Sequence, residues 1–226
     1  MEEKKKTNGN STGRRSTKEW KKLVAEFQNP NLGRALWQLV NTLLPVLGIW
    51  IGLYFLKDIS LWLCIPLAMI AGLFLIRAFI IFHDCGHGSF FKSKKANDIL
   101  GFFTGMLTFT PYHHWKWEHA MHHATNGDLD RRGIGDVWTL TVEEYLTSSR
   151  WIKLSYRFLR NPFILFLLAP LFLFFVLERI PCSKAKPREK RSVYLMNFAL
   201  LIWSVSLSMI YGFIPWLVIQ VCMMGV

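Results

Sequence analysis

All seven histidines of this 226-residue chain fall between His83 and His123. Histidines used for packing, or placed by chance, would not confine themselves to a fifth of the sequence, so the stretch reads as a metal site. His83 and His87 are four apart, and His119, His122 and His123 stand at i, i+3 and i+4. On a helix each set shares one face, because residues three and four apart are neighbours. Neutral imidazole is the commonest protein metal ligand and suits iron, zinc and copper. Five imidazoles exceed what one tetrahedral zinc ion needs. The surplus points to more than one ion, and iron is the usual choice for oxygen chemistry. A single HxxxH is a weak signal. Followed roughly thirty residues later by HxxHH, at the end of an apolar run, it is much stronger. His113 and His114 lie outside the pattern, and a structural or supporting role suits them at least as well as ligation.

The elements that must carry these residues are set by composition. Hydrophobic residues make up 52% of the chain, with 18 Phe and 10 Trp, and they cluster in long blocks. Such blocks predict an all-α, multi-pass membrane protein with a helical, histidine-rich cytosolic cap. The net charge of +12 could suggest nucleic acid, but the basic residues flank apolar spans and no nucleic-acid motif is present, so no nucleic-acid partner is expected. Four cysteines form no disulfide framework: Cys64 and Cys222 lie in apolar blocks, Cys182 in a basic loop, and Cys85 inside the first histidine group, where it points away from both histidines.

Residues 1–35 read as a tail, disordered through residue 17, followed by an amphipathic helix over Lys18–Gln28 with Trp20, Leu23, Val24 and Phe27 on one face. Residues 36–226 read as the membrane domain. Spans are predicted at 36–56 and 61–82, the second running straight into His83, with Arg77 snorkelling towards the headgroups. Nine Lys/Arg precede the first span and ten lie in 83–161, against the single Lys57 between the spans. The tail and the histidine region are therefore placed on the cytosolic face. Residues 99–111 are apolar but half a span long, which suggests a re-entrant or interfacial segment. Leu140–Leu159 reads as soluble or interfacial helix. Residues 162–177 are either a short span or a hairpin, since the six Lys/Arg of 178–191 would otherwise lie outside. A span at 193–211 follows. The last run, 213–226, has no polar anchor after it, so the sequence reads as a piece of a longer chain or the product of an early stop.

Three stretches resemble the membrane fatty acid desaturases, of the bacterial type related to the plastid Δ12/ω-6 enzymes. They are His83-Asp84-Cys85-Gly86-His87-Gly88-Ser89-Phe90-Phe91, Glu118-His119-Ala120-Met121-His122-His123-Ala124-Thr125, and the loop from Asp128 to Asp136 that leads into Trp138-Thr139-Leu140-Thr141. The resemblance implies a di-iron centre at the cytosolic face of a bacterial plasma membrane. It implies O2 as oxidant, a ferredoxin or cytochrome-type electron donor, and removal of two hydrogens from a lipid acyl chain. His83, His87, His119, His122 and His123 match two of the family's three ligand groups. The third has no counterpart, since no histidine follows His123. Little or no turnover is therefore expected from this chain alone, and a non-catalytic membrane remnant is the alternative. HxxxH with HxxHH is shared with acyl hydroxylases. An intramembrane zinc protease fits less well, because Asp84 stands where HExxH has its glutamate and the second histidine group would go unused. Asp84, Glu118, Asn126 and His114 are the candidates for orienting the ligands.

Overall fold

A computed structural model describes residues 17–25, 29–133 and 135–226 of the chain. The disorder expected of the tail, and the end of the amphipathic stretch at Phe27, lie outside the described residues. Among the described residues there are helices and loops and no strand, in keeping with the all-α expectation. After a short helix, Thr17–Ala25 (α1), three helices are long and apolar enough to cross a membrane: Leu32–Leu56 (α2), Leu61–His87 (α3) and Pro187–Tyr211 (α9). The intervening helices are Lys94–Leu107 (α4), Tyr112–Thr125 (α5), Val142–Thr147 (α6), Arg150–Leu159 (α7) and Ala169–Phe175 (α8), and the chain closes with Phe213–Met224 (α10).

The axis of the molecule is α3, with α2, α4 and α10 packed along it. Small residues make this possible: Ala68, Ala71, Gly72 and Ala78 are buried on α3. A Cβ on Gly72 would stand 2.5 Å from the Met223 carbonyl, so the backbone of α10 rests directly on α3. Large apolar side chains such as Trp37, Phe55, Trp62, Phe198 and Met209 face outward instead, the inverse of a water-soluble surface. At 27 residues α3 is about 40 Å long. That exceeds the roughly 30 Å of bilayer hydrocarbon, so a helix that crosses can still project its last turns, with His83 and His87, into the polar layer. Gly88 stops the helix one residue after His87 by adopting φ +72°, while its N–H bonds the Cys85 carbonyl.

The connection between the two histidine groups turns back on itself. Ser93 caps α4 by accepting the Ala96 N–H, and α4 packs back along α3 until Leu107 joins the apolar cluster that includes Trp50 and Tyr211. The chain reverses at Phe109, whose φ is +57°, and whose carbonyl accepts from Arg179. It returns as α5 over two glycines of α4. Gly105 meets the Thr110 carbonyl, and Gly101 lies under the ring of Tyr112, where a Cβ would come within 2.1 Å. Tyr112 then reaches α3, donating its hydroxyl to the Cys85 carbonyl at 2.7 Å.

Beyond α5 the helix expected over 140–159 is two helices, broken at Ser148-Ser149 because each has its own cap. Thr141 and Glu144 form a reciprocal capping box for α6, and Ser149 accepts the Ile152 N–H at the start of α7. The basic side of α7 is tied inward, with Arg157 on the Tyr145 hydroxyl and Arg160 on the Trp138 carbonyl, which leaves Trp151, Leu154 and Phe158 exposed. The apolar stretch after it, residues 164–179, is bent by 63° from α7. The guanidinium of Arg77 bonds Asn41 and Thr42 on α2, linking the first two long helices.

Candidate metal centre

The imidazoles of His83 and His87 on α3 meet those of His119 and His123 on α5, with four ligating atoms all within 4.8 Å of one another. The Nε2 atoms of His83, His87 and His119 form a triangle with sides of 3.3, 3.2 and 3.0 Å, and His123 Nε2 stands 3.0 Å from His119 Nε2. A hydrogen bond needs one N–H and one lone pair, and each neutral Nε2 offers only one of these. Three nitrogens in mutual contact cannot alternate, so at least one side of the triangle must set like against like. A cation accepting every lone pair removes the conflict. The spacing agrees, since an ion about 2.0–2.1 Å from two imidazole nitrogens holds them about 2.9 Å apart at a right angle and about 3.4 Å apart at the tetrahedral angle. These four residues therefore fit a transition-metal ion.

Their surroundings orient them and keep His119 neutral. Burial, reinforced by the neighbouring His83, His123, His87 and His122, lowers the His119 pKa to about 4, so the ring carries no proton in excess at neutral pH. Asp84 Oδ1 lies 3.3 Å from His83 Nδ1, which favours the proton on that nitrogen and leaves Nε2 open. Trp115 stacks on His119 with centroids 4.4 Å apart and planes 15° from parallel. It is wedged by Phe79 and Phe82 of α3. Gly86, inside the first histidine group, makes room for it, since a Cβ there would meet the indole at 2.9 Å.

His122 does not join the four. Its Nδ1 pairs with Asp136 Oδ1 at 2.5 Å, and its ring centroid is 6.2 Å from that of His119. It lines a neighbouring cavity of about 390 Å³ together with Glu118, His119, Asp136 and Glu178. His113 and His114 stay outside the group of four and tie α5 to the later chain. The His113 N–H donates to Ser192, and His114 Nε2 accepts the Cys182 N–H at 3.0 Å while its Nδ1 lies 3.5 Å from Glu118. Burial raises the Glu118 carboxyl. Cys85 is buried against the α3–α5 contact. Sequence spacing left Trp115, Tyr112, Asp136 and Glu178 unmarked. Trp115 carried a signal, since it is four residues before His119 on the same helical face. Nothing local to Asp136 or Glu178 pointed to α5.

The fatty acid desaturase family model matches residues 60–226. Over 203 residues the chain is 45% identical to the fatty acid desaturase of Bacillus subtilis, covering 90% of this chain and 58% of that protein. An sn-1 oleoyl-lipid 12-desaturase of Synechocystis is 35% identical over 103 residues, 45% of this chain and 29% of its own. The sn-1 acyl-lipid omega-3 desaturase (ferredoxin) of the same organism is 29% identical over 181 residues, 75% of this chain and 46% of its own. The chain thus spans less than three fifths of the length of these relatives. No solved structure matches it. With most of its length under the family model, and with both of its histidine motifs brought to one place by α3 and α5, the chain belongs to the fatty acid desaturase family.

Proposed function

We propose that this chain serves the O2-dependent introduction of a double bond into a lipid acyl chain at a histidine-ligated di-iron centre, on the cytosolic face of a bacterial plasma membrane. The observation that carries the reading is the convergence of His83, His87, His119 and His123, with His122 as a fifth ligand reached from the adjoining cavity. Bound iron would supply the redox chemistry with O2 that an unactivated C–H bond requires, because such a bond offers no acidic proton to a general base. The protein's part is placement. The last turns of α3 present imidazoles where an apolar span ends, within reach of lipid tails. Trp115 and Asp84 fix two of the rings. Electrons would come from a ferredoxin or cytochrome-type protein approaching from the aqueous side; a relative's name specifies ferredoxin. Residues 36–226 act in this reading as one membrane domain, with 1–35 as its surface tail.

The test has two arms. Purified chain is assayed for iron and zinc. In parallel, it is expressed with iron and a reduced ferredoxin, and the lipids are searched by mass spectrometry for new double bonds. Iron bound by the wild type and lost in His83→Ala and His119→Ala is the expected result. Any product is expected to be O2-dependent and absent from both variants. New hydroxyl groups in place of double bonds would move the reading to an acyl hydroxylase. Zinc with peptide cleavage would move it to a protease. A chain that binds no iron would leave the remnant reading.

A further inference from the structure

His122 is the one imidazole of the five that pairs with a carboxylate from outside its own helix. Asp136 takes its Nδ1 through Oδ1 at 2.5 Å, and the other carboxylate oxygen accepts the Gly133 N–H at 3.1 Å. The carboxylate is thus held at both oxygens. The turn that delivers it is shaped for that purpose. Gly133 and Gly135 have φ of +119° and +72°, values that side chains other than glycine rarely adopt. Gly135 is pressed onto α5, where an added Cβ would lie 3.1 Å from the Glu118 carbonyl and 3.2 Å from His122 Cβ. From behind, the turn is braced by Arg132, which pairs with Glu144 of the α6 capping box.

An ionised carboxylate only accepts hydrogen bonds, so the shared proton belongs to His122 Nδ1. In the neutral ring this selects one tautomer, with Nε2 as the open lone pair. We propose that Asp136 is a positioning residue that fixes the tautomer and angle of His122 and so prepares the fifth motif imidazole, outside the four-membered group, for ligation. The proposal rests on the reading of His122 as a metal ligand.

The test compares wild type, His122→Ala, Asp136→Ala, Asp136→Asn and the double variant H122A/D136A, all purified in detergent. Iron retained against a competing chelator is measured, helical content is checked by circular dichroism, and the tautomer of His122 is read in metal-free protein by ¹⁵N NMR of labelled histidine. Asp136→Ala is expected to lower iron affinity by about 10- to 100-fold, the usual cost of losing an outer partner. The double variant should be no worse than His122→Ala, because the two residues act through one ligand. Asp136→Asn has one carbonyl oxygen for two N–H donors, those of Gly133 and His122 Nδ1, so it should recover at most part of the affinity and mix the two tautomers. Wild-type iron retention in Asp136→Ala alongside a loss in His122→Ala would overturn the proposal and leave the ligand reading standing. Undiminished retention in His122→Ala would overturn both. If Asp136→Ala fails to fold, the tautomer in the wild type decides: a mixed or Nε2–H ring there overturns the proposal.

Discussion

The four-imidazole group and the His122–Asp136 pair sit side by side but are held by different means. The first is made where two helices cross. Each contributes two rings at i and i+4, and glycine notches on α3 and α4 set how closely α5 lies. The second depends on a loop that leaves α5 at Asn126, crosses a glycine turn and is pinned at its far end by a helix cap. Helix crossings fix side chains by packing, which resists displacement at every contact. A loop fixes them by a few polar links, each worth little and each removable. The two regions should therefore fail differently.

The sharpest break is His119→Ala. Its Nε2 touches those of His83, His87 and His123, so its loss should cost more metal affinity than removal of Asp136, while His123→Ala, with a single such neighbour at 3.0 Å, should cost less. Chelator competition would rank them; equal losses would mean that the group does not share one ion. Next comes Gly101→Ala. The added methyl overlaps the Tyr112 ring, and overpacking of this kind costs about 1–3 kcal/mol. Denaturation in detergent should show that loss, and metal retention should fall with it because the start of α5 moves. Tyr112→Phe should be milder, about 1 kcal/mol for one hydrogen bond, since the Cys85 carbonyl keeps the Gly88 N–H.

On the loop side, Thr141→Ala should cost about 1 kcal/mol as a lost cap. The effect should appear as faster hydrogen exchange over 132–147, with the four-imidazole group unaffected. The smallest effect concerns acid. Glu144 is held down to about 2, from an ordinary 4.5, chiefly by Arg132 and then by the Thr141 N–H. A carboxyl lowered on folding contributes stability above its unfolded value and loses it as pH falls through the folded one. Protection of the amides in 132–147, taken relative to their intrinsic exchange rates, should thus fall between pH 4.5 and about 2 in the wild type, and Glu144→Gln should remove that dependence.

Much of this was legible in the residues. The apolar blocks and the i, i+4 histidines are local patterns, and local patterns report helix type, length and face. α9 begins six residues before the run expected at 193, since Pro187 and the charged turn after it suit a helix start. The break at Ser148-Ser149 was missed because two short capped helices share the periodicity of one longer helix.

By itself the sequence determined that the chain is helical, that three stretches are long and apolar enough to span a bilayer, and that each histidine motif lies on one helical face. Only the tertiary structure decided that α3 and α5 bring four of those rings to a common point, that His122 turns aside to Asp136, and that Arg77 bonds α2. The reason is that periodicity acts over a few residues, whereas these outcomes depend on distances between helices. Those distances are set by where glycines such as Gly86 and Gly101 let one backbone approach another.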